Sequence, residues 1–179
     1  MKQSLQTAFS CSSFLLSYPE LGWREALTEL LEEIEAIEAI EQEDVKASLT
    51  TFIKQALHKT NDQLIDSYVY TFDFGKKTNM YLTYMNTGEQ RERGIELLEL
   101  KQHYKKSGFE VTDKELPDYL PLLLEFFANA NEQDSEPIMS KYKENIQALH
   151  VQLKEADSMY EPILSAVLLA IDTWGVQTN

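Results

Sequence analysis

Two carboxylates and two prolines mark the stretch of this sequence whose side chains are best placed to do chemistry. Glu115 and Asp118 lie three residues apart, and Pro117 and Pro121 restrict the backbone around them. Such a pair could serve as general acid and base if burial separated the two pKa values. The competing structural interpretation makes Asp118 the N-cap of a helix with Pro121 at its third position, where the missing N–H costs no hydrogen bond.

The residues that other catalytic or metal sites require are scattered. His58, His103 and His150 lie far apart, and none has a partner at the spacing of a metal-binding helix. The sequence has no Walker-type phosphate loop, no GxGxxG after a strand and no GxSxG elbow. We therefore expect no metal, no cofactor and no catalysis. An enzyme that uses Glu115 and Asp118 is the alternative.

The composition is that of a globular protein with a large negative charge. Of the 179 residues, 43% are hydrophobic and 26% charged, and the formal net charge is −14. A field of this sign repels nucleic-acid phosphates and anionic lipids, so we expect no nucleic-acid partner and no membrane insertion, and favour a cationic partner. The lone Cys11 suits a reducing compartment, and the first residues lack a signal-peptide pattern, so we expect a cytoplasmic protein.

Apolar residues recur at helical spacing over nearly the whole chain, which predicts an all-α fold. We expect about eight helices in a single globular domain spanning 1–179, because no repeat, low-complexity tract or composition shift divides the sequence. The segment 163–171 is apolar on nearly every face. The C-terminal helix should therefore be buried and wrapped by the others.

Cap residues predict where several helices begin, since Ser, Thr and Asp favour the N-cap and Glu or Gln often follows three positions later. The stretch 129–136 is the most loop-like internal segment. The aromatic segment 80–85 has no second strand to pair with, so we expect a loop with at most one helical turn. The predicted helix starts are Thr60 with Gln63, Thr87 with Gln90, Ser135 with Pro137, and Ser158 with Glu161.

Aromatic residues crowd around a glycine break in the middle of the chain. Aromatic side chains with a polar end are favoured at interfaces, which makes this segment a candidate binding region; core packing is the alternative for most of its members. A basic cluster at 76–77 and 91–93 either forms salt bridges with the acidic surface or orients an acidic partner. The aromatic residues are Tyr68, Tyr70, Phe72, Phe74, Tyr81 and Tyr84.

An ordered set of residues between positions 68 and 126 resembles a known family. Together with the run 15–19, this set is similar to the NarJ family, the delta-subunit assembly chaperones of respiratory nitrate reductase. The corner at 115–118 is the hallmark of the wider group of all-helical chaperones for molybdenum redox enzymes. The sequence departs from the family at 76–77, where arginines are usual, and lacks the long acidic C-terminal tail of many members. The matching positions are 68–73, 82–84, Gly88, Arg91, Arg93, Gly94, Leu97, 100–101, Tyr104, 108–109, 115–121 and 124–126.

The resemblance implies a cytoplasmic chaperone that is neither an enzyme nor part of the finished reductase. Such chaperones bind the N-terminal segment of the apo catalytic (alpha) subunit, keep that subunit competent for molybdenum cofactor insertion, and delay membrane docking. Contact with proteins of molybdenum cofactor biosynthesis would accompany this role. A helical adaptor or a permanent accessory subunit is the alternative.

These considerations predict a peptide-binding groove at the corner. A basic amphipathic peptide would lay its apolar face on aromatic and leucine side chains and its cations on carboxylates. Apolar burial should supply most of the affinity, since each exposed ion pair contributes only about 0–1 kcal/mol. The predicted binding residues are Asp73, Tyr81, Tyr84, Glu115, Leu116, Pro117, Asp118, Tyr119, Glu125 and Phe126.

Overall fold

The computed structural model describes residues 2–36, 43–75, 77–85, 90–110, 112 and 114–175. A π-helical turn (Val69–Asp73) extends the fourth helix, and a 3-10 turn (Leu82–Met85) precedes the fifth. Because these residues form helices and no β-strand beyond one isolated bridge, the all-α prediction is confirmed. The described residues form eight α-helices, namely α1 (Lys2–Leu15), α2 (Trp23–Ala36), α3 (Glu43–Leu57), α4 (Asn61–Tyr68), α5 (Gln90–Lys106), α6 (Leu120–Asn129), α7 (Glu132–Glu155) and α8 (Glu161–Trp174).

Helix α8 lies at the centre of the packing and contacts α1, α3 and α7. Its apolar residues point in several directions, as a helix surrounded by others requires. Gly175 ends it with φ of 93°, a left-handed conformation that glycine adopts without steric cost. The prediction of a buried C-terminal helix is confirmed by its fully or nearly buried residues Ile163, Leu164, Ala166, Val167, Ala170, Ile171 and Trp174.

The other helices join the same core. Helix α1 packs against α6, where the rings of Phe9 and Phe127 meet edge to face with centroids 5.6 Å apart. Helix α2 packs on α3, where Trp23 and Phe52 make a similar contact at 6.4 Å. In helix α5 only Leu100 and Tyr104 are buried. It is therefore the helix with most of its surface turned outwards.

Two of the predicted helix starts fall at the α4 and α5 boundaries. At α4 the capping box is confirmed: the Thr60 hydroxyl accepts from the Gln63 backbone nitrogen (3.3 Å), and the Gln63 side-chain oxygen accepts from the Thr60 nitrogen (2.9 Å). Thr87 lies outside the described residues, although α5 does begin at Gln90.

The predicted start of α7 was wrong. The helix begins at Glu132, because the Asn131 side chain accepts a hydrogen bond from the Asp134 nitrogen (3.0 Å) and caps it. Most of the stretch 129–136 is therefore helical, and Pro137 lies inside the helix on its exposed side. At 24 residues α7 is the longest helix, yet no helix of the described chain is both long and apolar enough to cross a membrane.

The predicted capping box at the start of α8 was also wrong. Tyr160 is the N-cap and its side chain makes no capping hydrogen bond. The Ser158 hydroxyl accepts from the Tyr160 nitrogen instead (3.3 Å). The Glu161 carboxylate, which would have closed the box, contacts His150 Nε2 at 2.6 Å. His150 on α7 thus binds the Glu161 carboxylate in place of the local capping contact.

Candidate functional site

The proline corner is held by a short backbone pairing with the segment before α5. The Leu82 nitrogen donates to the Asp118 carbonyl (3.1 Å), and the Leu120 nitrogen donates to the Met80 carbonyl (2.8 Å). These bonds frame an isolated antiparallel bridge between Tyr81 and Tyr119. The segment 80–85 is otherwise a single 3-10 turn, so its prediction as a loop with one helical turn is confirmed, but its pairing partner is the corner itself.

Asp118 does not cap α6. The helix begins at Leu120 with Tyr119 as N-cap, which places Pro121 at its second rather than third position. The Asp118 side chain is fully buried, and its Oδ2 accepts from the Thr83 nitrogen (3.0 Å) and the Thr83 hydroxyl (2.7 Å). The N-cap prediction is wrong because Thr83 offers two buried donors that a local pattern cannot reveal. The prediction that Asp118 binds the peptide directly also conflicts with its burial.

Arg93 completes this buried group from the first turns of α5. Its Nε donates to the Thr83 hydroxyl (2.9 Å), and its Nη2 lies 3.9 Å from Asp118 Oδ2. The guanidinium carbon is 5.8 Å from the centre of the Tyr84 ring, which is 60% exposed. Part of the basic cluster therefore points into the corner and neutralises its carboxylate. Tyr84 contacts this group and lines none of the three hollows described below.

The half-buried Tyr81 and Tyr119, the buried Tyr68 and two exposed carboxylates lie beside this buried group. The rings of Tyr81 and Tyr119 lie 5.1 Å apart, and the Tyr119 hydroxyl is 3.2 Å from that of Tyr68. The Tyr81 hydroxyl donates to Glu115 Oε2. Burial, and then this hydrogen bond and the Glu115 charge, raise the pKa of Tyr81.

Burial also raises the pKa of Tyr119. The hydrogen bond with Tyr68 acts in the opposite direction, while the charges of Glu115 and Asp73 add to the rise. The exposed Asp73 therefore lies close enough to act on the same tyrosine as Glu115 does. These phenols stay protonated at neutral pH and can act as hydrogen-bond donors.

A groove of about 390 Å³ opens between α5 and the corner. We call it the corner groove. Leu98 and Leu116 are 57% and 42% exposed, a large fraction for leucine side chains that face one hollow. Pro117 is buried at its base. The corner groove is lined by Tyr81, Leu97, Leu98, Lys101, Thr112, Lys114, Glu115, Leu116 and Pro117.

A second hollow of about 240 Å³ lies beside α6 and the residues that follow α5. We call it the carboxylate pocket. Tyr104 connects the two, because its hydroxyl donates to the Pro117 carbonyl (2.9 Å) and its ring lies 4.7 Å from that of Phe126. The predicted residues Glu125 and Phe126 thus line a different hollow from Glu115 and Leu116. The carboxylate pocket is lined by Tyr104, Phe109, Glu110, Leu122, Glu125, Phe126 and Asn129.

The prediction missed the α5 side of the corner groove. Leu97 and Leu98 line it, and Ile95 is 52% exposed on the same helix. A signal was present, because Ile95 and Leu98 fall outside the stripe made by the buried Leu100 and Tyr104. Apolar residues off the buried stripe of a helix are candidates for an interface.

The aromatic segment divides between core and surface. Tyr68 and Phe72 are buried, whereas Tyr70 and Phe74 are 79% and 75% exposed. The exposed pair lines a third groove of about 740 Å³ between the π-helical turn and the end of α7. None of the ten predicted binding residues lines that groove.

In the described ranges no three His, Cys, Asp or Glu side chains are grouped as a metal site would require. Two of the histidines have protein partners: His103 contacts the Asp134 carbonyl at 2.7 Å, and His150 contacts Glu161. Fold and site together define an all-helical protein whose distinctive features are grooves beside a rigid proline corner.

Comparison with known proteins identifies the family. The family model described as nitrate reductase delta subunit matches residues 21–164. A Bacillus subtilis (strain 168) protein named probable nitrate reductase molybdenum cofactor assembly chaperone NarJ is 47% identical over 174 residues, which cover 97% of this chain and 93% of that protein. The chain belongs to the nitrate reductase delta subunit family, as its resemblance predicted.

Two further relatives differ in how much of their own length this chain matches. The nitrate reductase molybdenum cofactor assembly chaperone NarJ of Escherichia coli (strain K12) is 27% identical over 161 residues, 90% of this chain and 68% of that protein. The nitrate reductase-like protein NarX of Mycobacterium tuberculosis (strain ATCC 25618 / H37Rv) is 32% identical over 167 residues, 93% of this chain but 24% of that protein. The names of the two NarJ relatives describe assembly factors, not catalysts.

Proposed function

We propose that this protein is a cytoplasmic assembly chaperone. It binds the N-terminal segment of the apo catalytic subunit of respiratory nitrate reductase and keeps that subunit competent for molybdenum cofactor insertion before membrane docking. The names of the two NarJ relatives, one of them 47% identical over nearly the whole chain, support the chaperone role. Contact with the proteins of molybdenum cofactor biosynthesis is part of the same proposal.

The observation that carries the proposal is the exposed apolar surface of the corner groove. Leu98 and Leu116 are each about half exposed, and both line one hollow, Leu98 from α5 and Leu116 from the corner. Covering such surface is favourable by about 25 cal/mol per Å² of apolar area. An amphipathic helix laid along the groove would cover both leucines at once.

The charges of the site favour a basic segment and indicate its orientation. Glu115 lies at the tyrosine side of the corner groove, with Asp73 near the same tyrosines. Lys101 and Lys114 belong to the lining as well, and they disfavour cations beside them. The cations of the segment would therefore lie toward Glu115 and Asp73, or toward the carboxylate pocket, while the leucines take the apolar face.

Asp118 has a different role in this proposal from the one that the sequence predicts. Its carboxylate is buried and bonded to Thr83, so it shapes the groove without contacting the peptide. Arg93 supports the same arrangement from α5. Rigid support of a binding surface reduces the ordering cost of association.

The proposal is tested by calorimetric titration with a synthetic peptide that covers the N-terminal segment of the catalytic subunit. We expect saturable binding that weakens moderately with salt, because exposed charges are screened while apolar contacts are not. A scrambled peptide of equal composition is the control, since it keeps the charge and loses the amphipathic face. Equal binding of the two peptides, or no saturable heat, would contradict the proposal.

A second experiment separates a chaperone from a permanent subunit. The protein is used to capture the apo catalytic subunit from cells, with and without its N-terminal segment. We expect capture only of the form that has the segment. Recovery of this protein at full stoichiometry with the mature, cofactor-loaded reductase would instead identify an accessory subunit.

A further inference from the structure

We infer that the carboxylate pocket is a subsite for a single lysine or arginine side chain, with the aliphatic stem on an aromatic floor and the cationic head between Glu110 and Glu125. The inference rests on the proposed function for the source of that side chain, which is the bound segment of the catalytic subunit. The pocket itself is argued from its own residues.

The floor of the carboxylate pocket is apolar and fixed. The Phe126 side chain is only 4% exposed, and its ring packs against those of Tyr104 (4.7 Å) and Phe109 (5.1 Å). Leu122 is half-buried on the same helix. A chain of methylene groups laid on this floor would be shielded from water, as the stems of lysine and arginine commonly are.

The charges of the pocket select what lies at the end of that stem. In the part of the chain that the structure describes, both charged residues of the lining are acidic and exposed, namely Glu110 and Glu125. A purely apolar side chain would desolvate both carboxylates without offering them a hydrogen-bond donor. An ammonium or guanidinium group would instead donate charge-assisted hydrogen bonds to them.

The size of the pocket limits the ligand to one side chain. Its volume of about 240 Å³ is below the range of about 300–1,000 Å³ that holds drug-sized ligands. The neighbouring corner groove differs in charge, because its lining includes Lys101 and Lys114. The two hollows therefore accept different parts of one segment: leucine-type side chains in the corner groove and a cation in the carboxylate pocket.

The pocket is tested with small probes that do not depend on any protein partner. n-Butylguanidinium reproduces an arginine side chain, and n-butylurea is its neutral counterpart of nearly equal shape. Each is titrated into the isotope-labelled full chain and followed by backbone amide chemical shifts. We expect saturable shifts around Phe109, Leu122 and Phe126, with n-butylguanidinium binding about fivefold more tightly because two carboxylates accept from it.

A charge-matched pair of variants locates the effect. Glu110→Gln combined with Glu125→Gln should abolish the preference for the guanidinium probe. Glu136→Gln combined with Glu144→Gln removes the same charge from exposed positions of α7 and should leave the preference unchanged. Equal affinity for the two probes, shifts centred elsewhere, or a preference that survives in the first pair would overturn the inference.

Failure of the subsite and failure of the proposed function give different results. If the segment from the catalytic subunit binds the Glu110/Glu125 variant with undiminished affinity, the function stands and the subsite falls. If the segment does not bind but the guanidinium probe does, the subsite stands and the proposed function falls.

Discussion

Thr83 donates both its backbone N–H and its hydroxyl to one carboxylate oxygen of Asp118, at 3.0 and 2.7 Å. Both side chains are completely buried. These two bonds join the segment before α5 to the corner before α6. Arg93, on α5 itself, donates to the Thr83 hydroxyl. The corner groove therefore owes its shape to a carboxylate that does not line it.

Asp118→Ala should lower the free energy of unfolding by about 2–4 kcal/mol, because it leaves two buried donors of Thr83 without an acceptor. Urea denaturation measures the change. The control is Glu115→Ala at the exposed end of the same corner, which should cost less than about 1 kcal/mol. Equal losses in the two variants would show that Asp118 is not a structural centre of the corner.

Leu116→Ala should weaken binding of the reductase segment by about 1–3 kcal/mol, since the side chain would be covered by the peptide. Stability should change little, because 42% of the residue is exposed in the free protein. Calorimetric titration measures the affinity. Leu21→Ala is the matched control: Leu21 is 98% exposed and lies outside both hollows, so its removal should leave the affinity unaltered.

Gly75→Ala should destabilise the protein, whereas Gly94→Ala should stabilise it. A Cβ at Gly75 would overlap the Thr71 carbonyl oxygen and the Thr78 hydroxyl, so the loop after the π-helical turn must shift. A Cβ at Gly94 meets nothing within 4 Å, and alanine in a helix interior gains about 0.5–1 kcal/mol over glycine. Thermal denaturation measures the change in stability of each variant, and changes of the same sign in both would contradict the structure.

Stability should fall in alkaline solution partly because of Cys11. Burial raises the pKa of its thiol from 9.0 to about 11, and the charge of Glu33 adds to the rise. Above its ordinary pKa the unfolded chain releases the proton and the folded chain keeps it. The free energy of unfolding should therefore decrease by about 1.4 kcal/mol per pH unit between these two values, on account of this group.

Comparison with Cys11→Ala isolates that contribution. The variant loses some packing at every pH, but its stability should decline less steeply than that of the natural protein between about pH 9 and about pH 11. Parallel denaturation curves at several pH values give the two slopes. Identical slopes would mean that the thiol ionises equally easily in both states.

Thr60→Ala should lower stability by about 1 kcal/mol, because the capping box at the start of α4 loses its acceptor for the Gln63 nitrogen. Thr51→Ala serves as the comparison. Its exposed hydroxyl donates within α3 to the Ala47 carbonyl, a bond that adds little to a helix already formed. Chemical denaturation should give clearly different free energies of unfolding for the two variants. A loss of stability at Thr51 as large as that at Thr60 would argue against the cap.

The helix pattern was predictable because its causes are local. Helical spacing of apolar residues and a capping box at Thr60 each act within a few residues of the chain. Where a distant partner competes, the local pattern gives the wrong result. Asp118 bonds to Thr83 instead of capping α6, and Glu161 contacts His150 instead of closing a box at Ser158.

The candidate site was predictable only in outline. The structure brings two of the predicted residues together at the corner, where the rings of Tyr81 and Tyr119 are in contact. The ten predicted residues nevertheless do not share one groove: Asp118 is buried, Leu116 lines the corner groove, and Glu125 lines the carboxylate pocket. Sequence order could not show that Phe109 and Glu110 line one hollow while Thr112 and residues 114–117 line another.

The sequence by itself determined an acidic, all-helical chain with an apolar last helix and a stiff corner, because net charge, helical periodicity and proline geometry are properties of neighbouring residues. Only the tertiary structure decided which carboxylates face water. Asp118 and Glu115 lie three positions apart, yet one is fully buried and the other exposed. That difference arises from Thr83 and Arg93, which the chain brings to Asp118 from far along the sequence, and burial depends on such partners.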